Sequence, residues 1–460
     1  MRLIFVHGWS VTNTDTYGGM PEALSNASGL YGLNLDIQHI HLGKYISFHD
    51  EVTMDDIARA MDRALRDLPG NSDAAITPFS CITHSTGGPV VRFWVDKFYG
   101  SQNLNKLPLD HLIMLAPANH GSALATIGKA RVGRIKAWFN GIEPGQRVLD
   151  WLSLGSDGQW ELNEKYLNYN YVNNGFYPFV LTGQGIDHKF YDFLNSYLVE
   201  KGSDGVIRVA GASMNYRYIS LVQDMHQIIR QKPLTYKLVP DCEIRKPNPT
   251  ALGVYGYYCH SGSKMGIMRS VKKNETNTPI IKDILKCLKV KNPDDYQARA
   301  NELSQLTLQE QSGGDRYCMM VFNIRDDQGE QIKKDDYDLF LLAGNQYRPH
   351  QLPQGFFMDK QMNNETGKLV YYLDANKMAQ IKDGKFGVQV VARPSKGFSY
   401  YTAAEFRSEG TTANSILTPN QTTYVDIKLH RLVDKNVFRF GPVTDKPVSF
   451  KKIKPSGEPV

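Results

Sequence analysis

The chain has 460 residues, of which 41% are apolar and 22% charged, which suits roughly two or three domains of a globular protein, or one large domain with a small companion. Fifty-three basic against 47 acidic side chains leave a charge of only +6, too thin a balance for a nucleic-acid binder. The five cysteines, Cys81, Cys242, Cys259, Cys287 and Cys318, are scattered and form no CxxC pair, which argues against a disulfide scaffold or a zinc ribbon.

Leu3 to Val6 is a continuous apolar run that suits a strand buried on both faces of a parallel sheet. Met1 to Gly8 turns polar too soon for a secretory signal, and no apolar stretch of about 18 residues predicts a transmembrane helix. Thr53 to Leu68 follows the helical period, with Thr53 as N-cap and Asp55 and Asp56 in the first turn. Phe79–Ile82, Leu112–Ala116 and Phe179–Leu181 read as strands and Pro89–Tyr99 as a helix. This alternation runs to about residue 290 and predicts an α/β domain with a mainly parallel sheet. Residues 289–315 are polar and read as a linker carrying one helix. The runs Cys318–Ile324, Tyr337–Leu342, Leu369–Leu373, Phe386–Ala392 and Thr423–Leu429, separated by turn residues, predict an antiparallel β-sandwich-like domain. The division is 1–290, linker 291–315, β domain 316–432 and a C-terminal tail 433–460. Val437, Phe438, Phe440 and Phe450 lead us to expect that the tail docks near the site or on the β domain.

The strongest chemical signal is Ile82-Thr83-His84-Ser85-Thr86-Gly87-Gly88, between a predicted strand and a predicted helix. A serine on such a turn projects from the sheet edge, and small neighbours let strand and helix pass closely: the nucleophile elbow, usually G-x-S-x-G. Thr83 stands where that pattern has its first glycine; Gly87 keeps the other. The bland reading is a packing or phosphate turn with a structural serine. Phe5-Val6-His7-Gly8-Trp9 follows the first strand, so the backbone N–H groups of Trp9 and Thr86 are candidates for an oxyanion hole; the alternative is a histidine capping a turn. A serine needs a base and an orienting acid, which follow it in the order acid, then histidine, in an α/β-hydrolase. Asp204, in a small-residue turn, is the preferred acid, with Asp187 and Asp192 as competitors. His260, after the apolar run Ala251–Cys259, is the preferred base; His226, which looks helical, is the alternative. His120 follows another strand and either borders the cleft or shapes a turn. Cys81 and Cys259 read as buried core thiols. There is no P-loop, no G-x-G-x-x-G after a strand and no metal-ligand cluster, so no metal is expected.

Taken with Leu3–Ser10, the string Thr83-His84-Ser85-Thr86-Gly87 resembles the PlaB family of bacterial phospholipases A and lysophospholipases, whose nucleophile lies in Thr-His-Ser-Thr-Gly. The departure at Thr83 is a match to that pattern. The resemblance implies an α/β-hydrolase followed by a β-rich domain and cleavage of acyl esters in phospholipids and lysophospholipids without a catalytic cofactor. It also implies association with the bacterial envelope, the outer membrane included, without a cleaved signal, the cytoplasm being the alternative. A homo-oligomer (dimer or tetramer) and NAD(H) as a regulatory ligand belong to the same implication. Two rivals stay open: a general carboxylesterase or acyltransferase, and a catalytically silent hydrolase fold that binds a membrane or a partner. The segment Lys264–Lys291 holds eight basic residues against Glu275 and Asp283 and so contains the whole +6. Either it is a solvated helix face, or Lys264, Arg269, Lys272 and Lys273 form a rim against anionic lipid head groups.

Overall fold

The computed structural model describes residues 1–8, 16–128, 145–186, 200–314, 316–393, 398–409 and 416–433. The first apolar run forms strand β1 (Arg2–His7), with Leu3 to Val6 sealed on both faces. Strands β2 (Asp36–His41), β3 (Phe79–His84), β4 (Leu109–Leu115) and β5 (Tyr177–Gly183) pair beside it in parallel. The chain then leaves in a long hairpin, β6 (Tyr216–Gln231) and β7 (Leu234–Pro240), and returns with β8 (Ala251–Tyr255). The first sheet is six-stranded and wholly parallel, in the order β2-β1-β3-β4-β5-β8.

Side chains alternate across this sheet, as strand geometry requires. Ile4, Val6 and Cys81 face helices α2 (Met54–Arg66) and α3 (Gly87–Phe98), while Leu3, Phe5 and Ile82 face α1 (Met20–Ser28) and two later helices. Helix α2 starts in a capping box, Thr53 with Asp56, and buries Ile57, Met61 and Leu65. Short helices α4 (Ala123–Gly128), α5 (Gln146–Leu152), α6 (Asp157–Tyr166) and α7 (Val209–Ala212) follow on the α3 side. The layer on the other face is completed by α8 (Pro279–Leu288) and α9 (Pro293–Glu310). The helix expected within the linker 291–315 is α9, and it takes up most of that segment and packs on the sheet. Its Tyr296 hydroxyl donates to the Pro178 carbonyl at 2.6 Å, and its Thr307 hydroxyl accepts from the Val254 amide at 3.0 Å.

The second sheet is built from β6 and β7 together with β9 (Tyr317–Asp326), β10 (Tyr337–Ala343), β11 (Phe357–Met362), β12 (Leu369–Asp374) and β13 (Phe386–Ala392). A two-residue strand, β14 (Ser399–Tyr400), precedes β15 (Ala403–Arg407) and β16 (Thr422–Leu429), and pairs apart from them with β17 (Leu432–Val433). The order is β10-β13-β15-β7-β6-β16-β9-β12-β11. It is one mixed sheet rather than the antiparallel sandwich that the turn-separated runs suggest: β16 lies parallel to both β6 and β9, and β15 lies parallel to β7. Two of its strands come from residues 216–240, inside the segment assigned to the hydrolase unit from sequence. The sheet curls until β12, next to one edge, reaches the edge strand β10, with the Tyr371 hydroxyl donating to the Leu339 carbonyl at 2.9 Å. Cys318, Met320, Phe322, Leu339, Val388 and Val425 fill the concave side. On the other side Met319, Val321, Tyr372 and Tyr424 pack against Leu154, Trp160 and Ala210 of the first unit. Among the described residues no helix is long and apolar enough to cross a membrane.

Candidate active site

Strand β3 delivers Ser85 to a sharp turn before α3. Ser85 adopts φ 54°, a left-handed conformation that costs a non-glycine residue about 1–2 kcal/mol, as the elbow geometry demands. The crowding that requires small residues is measurable. A Cβ on Gly87 would lie 3.1 Å from the Thr83 Cβ, and one on Gly88 would lie 2.7 Å from the Pro117 Cβ. Thr83, in place of the customary glycine, is fully buried and faces Gly87. The N–H of Thr86 donates to no acceptor among the described residues, and it opens the first turn of α3, where helix N–H groups stand free. Trp9, its expected partner, lies outside the described residues, as do Asp187, Asp192 and the tail 434–460.

His260 follows β8 and meets both other expected residues. Its Nε2 lies 3.0 Å from Ser85 Oγ and its Nδ1 lies 2.8 Å from Asp204 Oδ2. A carboxylate oxygen accepts, so Nδ1 carries the proton and Nε2 is left to accept from the serine hydroxyl. The backbone closes the same arrangement, with the His260 N–H donating to the Asp204 carbonyl at 2.9 Å. The other carboxylate oxygen, Asp204 Oδ1, accepts from the amides of Val206 at 3.0 Å and Ile207 at 2.7 Å. Asp204 and His260 are fully buried and Ser85 is 9% exposed, so solvent reaches this line at the hydroxyl. His84 Nε2 donates to the His260 carbonyl at 3.0 Å, with the two rings 4.6 Å apart. Desolvation and the neighbouring His260 hold the His84 imidazole well below its ordinary range. Its proton is therefore fixed on Nε2 and its charge is zero. The competing histidine, His226, sits exposed on strand β6 rather than on a helix, with its amide donating to Asp224. Cys81 and Cys259 are buried, and burial pushes the Cys81 thiol up, away from reactivity.

The basic residues divide. Lys264, Arg269, Lys272 and Lys273 are exposed on the segment that follows His260. That segment is tied back to the His260 loop by the Cys259 amide on the Met265 carbonyl and the Ile267 amide on the Cys259 carbonyl, both at 3.0 Å. Lys273 pairs with Glu22 at 2.9 Å and Lys272 with Glu275 at 3.6 Å. Further along, Lys286 belongs to α8 and pairs with Glu302 of α9 at 3.1 Å, so the run is not one continuous rim.

Two features beside the site go beyond the motifs that contain His7 and His120. The first is a trio of histidines at the ends of β1 and β2. His7 Nε2 and His39 Nδ1 share a proton at 2.9 Å, and the His7 and His41 rings lie 4.1 Å apart. Desolvation, then His41 and His39, pushes His7 down to about 3. The second is the loop after β4, where burial pushes His120 down to about 3 as well. These shifts fix the sign of an acid response. As pH falls from about 6.5 toward 3, the unfolded chain takes up protons that the folded chain refuses, so stability is lost. Each histidine should remove about 1.4 kcal/mol per pH unit across that window. Urea midpoints taken near pH 7, 6 and 5 would read this loss, and a flat profile would contradict neutral buried imidazoles.

No model of a known protein family matches the chain, and no curated protein does. Solved structures do. Phospholipase PlaB from Legionella pneumophila superposes with a TM-score of 0.86 at 43% identity, covering 100% of this chain and 99% of that one. The same enzyme in complex with thio-NAD gives 0.86 at 42% identity with the same coverage. Agreement of that order over the whole of this chain means that it belongs to the PlaB family of phospholipases.

Proposed function

We propose that the chain cleaves acyl esters of phospholipids and lysophospholipids with Ser85 as nucleophile, His260 as base and Asp204 as its orienting acid. The observation that carries this reading is the unbroken line from Ser85 Oγ through His260 to Asp204, at 3.0 and 2.8 Å, in a member of a phospholipase family. Ser85 Oγ attacks the ester carbonyl while its proton passes to His260 Nε2, and Asp204 stabilises the imidazolium. The Thr86 N–H, with Trp9 as second donor, binds the oxyanion; each such donor is worth about 3 kcal/mol of barrier. His260 then protonates the departing alkoxide, leaving an acyl group on Ser85. Water gives its proton to His260, attacks that ester and releases the fatty acid. No step needs a metal.

The exposed Lys264, Arg269, Lys272 and Lys273, tied to the His260 loop, support a surface that meets anionic lipid, at about 1 kcal/mol per contact. Assembly as a dimer or tetramer and residence at the bacterial envelope belong to this proposal through the family. So does binding of a dinucleotide of the thio-NAD class, as a ligand outside the ester chemistry; titration with NAD under native mass spectrometry would test it.

The decisive comparison is fatty-acid release from phosphatidylcholine vesicles, from the same vesicles doped with phosphatidylglycerol, from lysophosphatidylcholine and from a short soluble ester. Faster turnover of the lipid substrates, rising with anionic lipid, is expected. Preference for the soluble ester would replace this reading with a general carboxylesterase, and acyl transfer to an added alcohol in place of water would replace it with an acyltransferase.

A further inference from the structure

The segment Ala116–Ser122 leaves β4 and runs from the nucleophile to the acid. It begins at Ala116 in a left-handed conformation, φ 46°. The Ala118 amide donates to the Ser85 carbonyl at 3.2 Å, while the Ser85 amide donates to the Leu115 carbonyl at 3.0 Å. Both peptide groups of the nucleophile are thus pinned by β4 and the residues after it. At the far end the Ser122 hydroxyl donates to the Val206 carbonyl at 2.7 Å, inside the turn whose amides hold Asp204 Oδ1. One strap therefore holds both ends of the Ser85–His260–Asp204 line.

The middle of the strap is anchored by α7 and the residue after it, and by the other sheet. The His120 amide donates to the Gly211 carbonyl at 2.8 Å and His120 Nε2 donates to the Ser213 carbonyl at 2.7 Å. Because a carbonyl only accepts, Nδ1 is unprotonated and accepts from the Tyr424 hydroxyl of β16 at 2.7 Å. The Asn163 side-chain Nδ2 donates to that hydroxyl at 2.9 Å and also lies 3.2 Å from His120 Nδ1. Arg92 on α3, fully buried, steadies the surroundings through Asn119 Oδ1 at 3.0 Å and Asn163 Oδ1 at 2.8 Å. Every member of the set is buried, so each hydroxyl removed leaves partners that water does not reach.

We infer that Ser122 and Tyr424 are positioning residues for ester hydrolysis: the strap fixes nucleophile and acid relative to each other, and the Tyr424 hydroxyl of the nine-stranded sheet fixes the strap. This rests on the Ser85–His260–Asp204 reading above. The second sheet thereby acts on the chemistry through the Tyr424 phenol of β16, with the Tyr216 ring of β6 packed 5.2 Å from His120 beside it.

The test is the rate constant with which a fluorophosphonate modifies Ser85 across a range of pH. In that reaction Ser85 Oγ displaces fluoride from phosphorus and its proton passes to His260, so the rate reads the geometry of the site directly. Ser122→Ala and Tyr424→Phe are each expected to slow it by roughly ten- to a hundredfold, as small misplacements of reacting groups do. A misplaced Asp204 supports the imidazolium less well, so the acid limb of the Ser122→Ala profile should move to lower pH. The double variant should be slower by less than the product of the single effects, because both residues act through one strap. The fraction of molecules that fold sets only the amplitude of labelling, so partial misfolding does not imitate these results. Wild-type rate constants with an unmoved acid limb in both variants would overturn the inference. Absence of labelling in the wild-type protein would instead overturn the Ser85 reading on which it stands.

Discussion

Ser85→Ala is expected to lower phospholipid hydrolysis by about 10^6-fold, the loss seen when a serine nucleophile is removed from a hydrogen-bonded catalytic set. The variant should stay folded. Alanine keeps the Cβ at the elbow, and the Gly87 and Gly88 contacts with Thr83 and Pro117 are untouched. What vanishes is the one oxygen to which His260 Nε2 is directed, at 3.0 Å. Initial rates of fatty-acid release, with unfolding midpoints as a check, measure both halves of this statement. If more than about a hundredth of the turnover survived, which two oxyanion donors and substrate binding alone do not supply, the nucleophile would lie elsewhere. The silent-fold alternative is met by the same assay on the unaltered protein.

Asp204→Asn is the second large effect, and the surroundings of the carboxylate decide its direction. Val206 and Ile207 present two N–H groups to Asp204 Oδ1. An asparagine must place its carbonyl oxygen there, which turns its NH2 toward His260 Nδ1. That nitrogen then accepts instead of donating, the imidazole proton moves to Nε2, and Ser85 faces a donor where it needs a base. A loss of about 10^4-fold follows from such a reversed tautomer. It should show in the rate of ester turnover with little change in unfolding midpoint, since every backbone donor keeps a partner. A loss of less than about tenfold would mean that another carboxylate, Asp187 or Asp192, orients the histidine.

How far the sequence reaches depends on whether the information is local. The elbow is legible because its chemistry is local: one strand, one serine, two glycines and a helix lie within Phe79–Phe98. Asp204 and His260 are legible through their order along the chain and their small-residue turns, although no spacing rule ties them to Ser85. The helix expected within 289–315 is α9, but its packing across β8 is hard to read because it buries few side chains, Tyr296, Arg299, Leu303 and Thr307, among polar neighbours. The hairpin β6–β7 is harder still. Its first strand owes its placement to residues 422–429, so nothing within 216–240 declares which sheet it joins. Apart from His120, the strap offers little to read, because peptide groups, two hydroxyls and that one imidazole do the holding, and any sequence can offer a peptide group. The histidines of β1 and β2 are visible as letters, but their neutrality comes from packing that only the fold supplies.

The place of β16 in the middle of the nine-stranded sheet has a consequence in time. A ribosome makes β6 early and β9 later, but the strand that lies between them and bonds to both emerges after every other strand of that sheet. Until then β6 keeps an unpaired edge, β9 has no neighbour on that side, and the Tyr424 hydroxyl is not there to donate to His120 Nδ1. The nucleophile, the acid and the base all leave the ribosome well before that point, so by this logic an esterase directed at lipid is completed only by a strand that follows all three of them along the chain.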